Sequence, residues 1–339
     1  MFKKKLGFLL GIMVCLSVAG YIVCLLAGGT KQINKEEEFL LVTSFYPMYV
    51  LAENLTEGVA GVTVSNLTEN QTGCLHDYQL TSRDMKLLSG ADAFLINGAG
   101  MELFMEKVME NNGELPVIEA AHGIALLEGV EHNHAHGEDV HEEEHAHEEE
   151  AHDEEPEHAG EAHDDHSHAE NGHVWMDVEL YRTQVATVKQ NLQVLLPEQT
   201  EALEVAAAAY DTELQTLQGE IDTLRSQIKG IPVVIFHEAF AYLADSLGME
   251  VLIALSLDEE TVPSAGEIAE VIEEIKYHGT ALILIEEVYA AHAAKIVEET
   301  GAEVVYINPL TTGDGALDSY ISGMRKNLEA IRRARWNGA

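Results

Sequence analysis

The chain has 339 residues, of which 46% are hydrophobic, so it is long enough for two globular units and apolar enough to give each a core. With 19 Lys and Arg against 59 Asp and Glu, the formal net charge at pH 7 is −40. This charge repels the phosphates of nucleic acids and of anionic lipids and attracts cations. It argues against nucleic-acid binding and points to a cationic partner.

The N-terminal segment has the pattern of an export signal. A basic start at 1–5 precedes an uncharged apolar run at 6–27, which is longer than a usual signal-peptide core and long enough to span a bilayer. We expect 1–29 to be a signal or membrane-anchor segment and 30–38 to be a polar tether. The remainder is then extracytoplasmic, anchored to the outer face of the cell membrane, or periplasmic if the signal is cleaved.

Strand-like and helical patterns alternate after the tether. Short apolar runs predict strands at 39–45, 62–67, 93–97 and 116–119. Helical patterns lie between and after them, at 47–55, 81–89 and 102–111. Strands that alternate with helices across short loops are typical of a mostly parallel sheet covered by helices.

An acidic, histidine-rich segment at 131–170 interrupts this pattern. It holds eleven His and seventeen Asp or Glu, without Lys or Arg, and its hydrophobic residues are nearly all Ala, which predicts a disordered loop. Imidazoles among carboxylates make it a candidate low-affinity zinc collector. The candidate ligands are His132, His134, His136, His141, His145, His147, His152, His158, His163, His166 and His168. The alternative is a solvated charge run that only keeps the loop extended.

Two helices are predicted after this segment. The first covers 178–196, and the second, of about 30 residues, begins near Pro197 and ends at Gly230. Apolar residues form one stripe along the second helix, which favours packing within the protein over a coiled coil with another chain.

Strand and helix alternation then resumes. Strands are predicted at 232–236, 251–257, 282–285 and 304–307. Helices are predicted at 239–247, 264–277, 290–300 and 316–331. The sequence therefore predicts an α/β protein of two lobes, each with a mostly parallel sheet flanked by helices. We expect the N-terminal lobe at 39–180, linking helices at 181–230 and the C-terminal lobe at 231–335.

Three histidines fall where a binding site is expected. His76 follows the second predicted strand, His237 ends the strand at 232–236, and His173 lies where the chain rejoins the fold after the acidic segment. Ligands of open α/β sheets collect beyond the carboxyl ends of the strands, and three neutral imidazoles suit Zn²⁺. The alternative for any one of them is a core or helix-start histidine.

Motifs along the chain resemble those of the zinc and manganese solute-binding proteins of ABC importers, over nearly all of 39–331. The similar segments include 43–47, 76–78, 97–102, 173–177, 236–240 and 308–310. The resemblance implies two lobes joined by one long rigid helix, with the metal in the cleft between them. It also implies that His76, His173 and His237 are ligands. The third ligand resembles Glu in manganese members, so His237 indicates zinc.

The sequence leaves the fourth ligand open. The family often has a carboxylate where this chain has Asn308, and an amide oxygen is a poor substitute towards zinc. The fourth coordination position is then filled by water or by one of four oxygen donors: Asn308, Glu238, Glu287 or Asp314. Asp77 and Asp177 are interpreted as residues that cap helices or support a ligand.

We expect a monomeric, extracytoplasmic, high-affinity zinc-binding protein that delivers Zn²⁺, its transported substrate, to the membrane permease of an ABC importer. One alternative is a binding protein of the same family for manganese or another divalent metal. A second is a surface metal-dependent adhesin or zinc sink that uses the histidine-rich segment without transport. A third, a zinc hydrolase, requires an open coordination position and a general base, for which Glu238 is the nominee. We expect no enzymatic activity.

Overall fold

The computed structural model describes residues 38–68, 75, 78–129, 170–255, 262–279 and 282–335. The predicted signal or anchor segment, His76, Asp77 and all eleven histidines of the acidic segment lie outside these residues. Among the described residues, no helix is both long enough and apolar enough to cross a membrane. The chain divides into two compact units. The larger one comprises 40–60 and 64–339, and the contacts of the candidate metal centre lie within it.

The N-terminal half is built on a four-stranded sheet. Its strands are β1 (Phe39–Thr43), β2 (Val62–Asn66), β3 (Ala93–Ile96) and β4 (Val117–Glu119). They lie in the order β2-β1-β3-β4, and β3 pairs in parallel with both β1 and β4. The helices of this half are α1 (Tyr46–Thr56), α2 (Ser82–Ser89) and α3 (Met105–Asn111). Every residue of β3 is buried, as expected for a central strand of a sheet covered on both faces.

A short antiparallel pair follows, made of β5 (Leu127–Glu128) and β6 (Glu170–Asn171). Leu127 lies opposite Asn171, so the pair brings together the two ends of the stretch 130–169. No pattern in the sequence predicts this pair, because each strand has only 2 residues and its partner lies far along the chain.

Two helices connect the halves, α4 (Val178–Leu195) and α5 (Thr200–Ile228). Asp177 caps α4, since its Oδ1 accepts the backbone N–H of Leu180 at 3.0 Å, and its predicted capping role is confirmed. With 29 residues, α5 is about 43 Å long. A short 3₁₀ turn at Pro197–Gln199 precedes it.

The C-terminal half repeats the architecture of the first. Its strands are β7 (Pro232–Ile235), β8 (Glu250–Ala254), β9 (Leu282–Ile285) and β10 (Glu303–Tyr306). They are all parallel, in the order β10-β9-β7-β8. Its helices are α6 (Phe240–Ser246), α7 (Ala265–His278), α8 (Ala290–Thr300) and α9 (Ser319–Arg333). The predicted α/β fold, with two parallel sheets flanked by helices and one long helix, is confirmed; the boundaries predicted for the lobes stay predictions.

The apolar stripe of α5 is buried inside the chain itself, against α4, α1 and α9. The buried residues of the stripe are Leu203, Ala207, Tyr210, Leu214, Leu217, Ile221, Leu224 and Ile228. Because this surface is already covered, the alternative of a coiled coil with another chain is wrong.

Truncation of this stripe tests its contribution to stability. Leu214 is fully buried, whereas Val205 on the same helix is 67% exposed. We expect Leu214→Ala to lower the free energy of unfolding by about 2–5 kcal/mol, because it removes buried methyl groups and leaves a cavity. Val205→Ala is the control, with an expected change within about 0.5 kcal/mol. Urea unfolding followed by circular dichroism measures both, and equal losses contradict the packing described here.

Candidate metal centre

His237 lies just beyond the carboxyl end of β7, beside the end of β9. Since Ile235 is opposite Leu284 in the parallel ladder, the next two steps bring His237 beside Glu286. The Nδ1 of His237 lies 3.0 Å from Oε1 of Glu286, and the histidine is only 6% exposed. An ionised carboxylate can only accept, so the neutral ring donates from Nδ1 and keeps its lone pair on Nε2.

His173 lies just after β6, at the start of the 3₁₀ turn Val174–Met176, and is fully buried. Its ring packs against Trp175, with 5.1 Å between the ring centroids. Trp175 is itself held on both sides: its Nε1 donates to the carbonyl of Pro309 at 2.8 Å, and the Tyr320 hydroxyl donates to its carbonyl at 2.7 Å. The ring of His173 is therefore supported by an indole that the C-terminal half holds in place.

The structure brings two of the three predicted ligands together. The ring centroids of His173 and His237 are 5.1 Å apart, with 80° between the ring planes. Oε1 of Glu238 lies 3.8 Å from Nδ1 of His173, and Oδ1 of Asn171 lies 2.9 Å from the same nitrogen. In the part of the chain that the structure describes, no three His, Cys, Asp or Glu side chains are grouped to hold a metal ion. The third predicted ligand, His76, is outside that part.

The four oxygen donors considered for the remaining position differ in their surroundings. The Oδ1 of Asn308 accepts the N–H of Leu310 at 2.7 Å and so shapes the turn in which Leu310 has φ 61°. Asp314 is exposed, and its Oδ1 accepts a backbone N–H two residues further on at 3.0 Å. Glu287 is also exposed. Of these four described residues, Glu238 is the one that lies against a predicted ligand.

Two residues of the centre, Glu286 and Asn171, were missed by the sequence analysis. Glu286 carried a usable signal, because it directly follows a buried strand predicted to be parallel to the one that ends at His237. Asn171 carried none, since its place depends on the unpredicted pair β5–β6.

The segment that carries His173 is also held by the N-terminal half. Asn97, which follows β3, donates from Nδ2 to the carbonyl of Gly172 at 3.0 Å and accepts from Nε2 of Gln184 at 2.8 Å. A Cβ on Gly172 would lie 2.6 Å from the carbonyl oxygen of Ala99, so no side chain fits there. The backbone N–H of Asn97 in turn donates to Glu102 at 2.8 Å.

Glu102 is a buried carboxyl group at the base of this network. It accepts from the Ser44 hydroxyl at 2.8 Å and from the backbone N–H groups of Asn97 and Gly98 at 2.8 and 3.0 Å. These donors favour the charged form, but the loss of water around the buried carboxyl group outweighs them and raises its pKa from 4.5 to about 7.

Comparison with known proteins gives matches to zinc-uptake and zinc-binding proteins. Residues 41–334 match the family described as zinc-uptake complex component A, periplasmic (ZnuA). A zinc-binding protein AdcA of Streptococcus pyogenes is 28% identical over 314 residues, covering 89% of this chain and 57% of that protein. The high-affinity zinc uptake system protein ZnuA of Bacillus subtilis is 28% identical over 308 residues, covering 88% of each.

A solved structure of one of these relatives is similar to this chain. The crystal structure of Zn(II)-bound AdcA from Streptococcus pneumoniae superposes with a TM-score of 0.66, at 25% identity. The match covers 87% of this chain and 57% of that one. This chain therefore spans little more than half the length of the AdcA proteins that it matches.

The raised pKa of Glu102 predicts a pH dependence of stability. Between pH 4.5 and about 7 the folded protein holds a proton that the unfolded chain releases, so the free energy of unfolding falls as pH rises. The full loss above pH 7 corresponds to about 3 kcal/mol. Urea unfolding of metal-free protein at several pH values in this window measures the slope.

Glu102→Gln is the matched variant, because glutamine has nearly the same shape and does not titrate. Its amide group cannot accept the N–H of Gly98 as the carboxylate does, so we expect lower stability at every pH. The decisive quantity is the slope of the free energy of unfolding against pH. We expect the fall with pH to become shallower than in the wild type, and equal slopes contradict the assignment.

Proposed function

Because the chain belongs to the ZnuA family of zinc-uptake components, we propose that it is an extracytoplasmic zinc-binding protein that delivers Zn²⁺ to an ABC-type importer. Members of this family bind a solute and are not enzymes, and we infer no catalytic activity for this chain. The partner is the membrane permease of the importer. The protein acts as a monomer that residues 1–29 tether to the outer face of the membrane.

The spacing of two buried imidazoles is the observation that carries the proposal. Two imidazoles that share a tetrahedral Zn²⁺, each at about 2.0–2.1 Å, have ring centres about 5 Å apart. The ring centroids of His173 and His237 are 5.1 Å apart. Both residues are buried, so an ion that binds here exchanges its water for protein ligands.

The surroundings of His237 support a role as a metal ligand. A carboxylate on Nδ1 fixes the ring and leaves Nε2 as the basic nitrogen, which is the usual arrangement behind a histidine that binds zinc. Glu286 makes this contact at 3.0 Å. Imidazole donors favour zinc over manganese, which prefers carboxylate oxygens.

We propose His76 as the third ligand and leave the fourth position to Glu238 or water. Glu238 is half-buried, directly follows His237 and lies 3.8 Å from the ring of His173. Asn308 is disfavoured, because its side-chain oxygen already accepts a backbone N–H.

The acidic, histidine-rich segment acts in this proposal as a collector that supplies the centre. β5 and β6 hold the two ends of 130–169 together, and β6 ends two residues before His173. His168 is five residues from His173, so an ion that it holds is within roughly 18 Å of the centre. A tether this short gives the ion a high effective concentration at the centre.

Substitution of the two described histidines tests the centre. We expect His173→Ala and His237→Ala each to weaken the tightest zinc binding by at least roughly 100-fold, because loss of a ligand costs more than loss of a residue behind it. Competition with a zinc chelator of known affinity measures the constant. His278→Ala is the control, since His278 is exposed at the end of α7, where its Nε2 lies 3.5 Å from Oε2 of Glu274. Unchanged affinity in both site variants removes the proposal.

Shortening the acidic segment separates the two kinds of zinc binding. The antiparallel pair Glu128–Glu170 allows 129–169 to be replaced by a two-residue Asn-Gly turn. We expect this variant to keep one tightly bound ion and to lose several weak ones, because the centre and the collector are separate. Metal analysis after dialysis, together with a zinc titration, counts both classes. A variant that keeps no tight ion means that the segment holds the metal and the centre does not.

A further inference from the structure

Asn171 stands between the two histidines and contacts the segments that carry both. It is 1% exposed and ends β6. Its Oδ1 lies 3.1 Å from the backbone nitrogen of His173 and 2.9 Å from Nδ1 of the same residue. Its Nδ2 donates to the backbone carbonyl of Glu238, the residue after His237, at 2.8 Å.

The chemistry of these partners allows the amide of Asn171 only one orientation. A backbone carbonyl can only accept, so the NH₂ group must face Glu238. The oxygen then faces His173, where it accepts the backbone N–H. Because an amide oxygen cannot donate, the hydrogen between Oδ1 and Nδ1 must belong to the ring. The neutral ring of His173 therefore carries its hydrogen on Nδ1 and its lone pair on Nε2.

A second contact fixes the backbone of Asn171. The hydroxyl of Tyr242 donates to the Asn171 carbonyl at 2.6 Å and accepts the N–H of Leu127 at 3.1 Å. Tyr242 lies on α6, and Leu127 is opposite Asn171 in the β5–β6 pair. One phenol thus holds both strands of the pair against the helix that follows His237.

We propose that Asn171 is a positioning residue that selects the zinc-binding tautomer of His173 and sets its distance from His237. This inference rests on the proposed zinc-binding function and adds a residue that binds no metal itself. One amide does both tasks: its oxygen chooses the ring nitrogen that keeps a lone pair, and its NH₂ group ties His173 to the backbone beside His237.

Three variants of the full chain separate the two tasks. Asn171→Leu has similar size and removes both polar groups. Asn171→Asp keeps an acceptor for the ring and removes the donor to Glu238. Tyr242→Phe keeps the whole Asn171 side chain and removes only the hydroxyl that holds its backbone.

Two measurements apply to each variant. Long-range ¹H–¹⁵N spectra of metal-free protein above the titration range of histidine show which ring nitrogen carries the hydrogen, and His173→Gln assigns the signal by its loss. Chelator competition gives the zinc affinity. Far-UV circular dichroism checks that each variant is folded.

We expect the Nδ1–H form of His173 in the wild type, in Asn171→Asp and in Tyr242→Phe. In Asn171→Leu we expect a shift towards the Nε2–H form and a zinc affinity lower by about 10–100-fold, the usual cost of losing the partner behind a metal-binding histidine. Asn171→Asp is expected to lose less affinity than Asn171→Leu, because it retains the acceptor.

A folded Asn171→Leu protein with the wild-type tautomer or the wild-type affinity overturns the inference. If that variant does not fold, Asn171→Asp decides: an Nε2–H ring in this variant overturns the inference, and an Nδ1–H ring supports it. Failure of the proposed function looks different. The wild type then binds no zinc tightly, whereas the tautomer of His173 is still read from metal-free protein.

Discussion

Two imidazoles buried side by side impose the constraint on which the rest of the centre depends. A buried ring nitrogen needs a hydrogen-bond partner, and two adjacent rings would repel if both became charged. The protein gives the Nδ1 of each ring an oxygen: Glu286 for His237 and Asn171 for His173. These oxygens hold the rings in the form in which Nε2 is basic. The surroundings of the histidines thus define the centre as much as the histidines do.

The short segment that contains His173 is held from both halves of the chain. Asn97 of the N-terminal half bonds to the carbonyl of Gly172, and the carbonyl of Pro309 in the C-terminal half accepts from Trp175. Parallel sheets make this possible, because their strands end at one edge and deliver polar residues to the same place. The segment that contains His173 therefore contacts residues that follow strands of both sheets, namely Asn97 after β3 and Pro309 after β10.

The sequence could predict those parts of this arrangement that depend on residues close together in the chain, and not those that depend on residues far apart. Alternating patterns of strands and helices were enough for the fold, because they are local. His237 was found because it directly follows a strand, and Glu286 could have been found in the same way. Asn171 could not, since its partners come from a two-residue strand and from the backbone after His237. Asn308 was considered a ligand because the family often has a carboxylate at its position, whereas the fold uses its side-chain oxygen in a turn.

The pair β5–β6 also has a consequence for how the protein tolerates changes in the length of the stretch between the two strands. It pairs Glu128 with Glu170, so the residues on either side of 130–169 are fixed next to each other. The entropy of closing a loop grows with the logarithm of its length, about 0.6 kcal/mol for each doubling. We therefore expect insertions and deletions in this stretch to change the free energy of unfolding little.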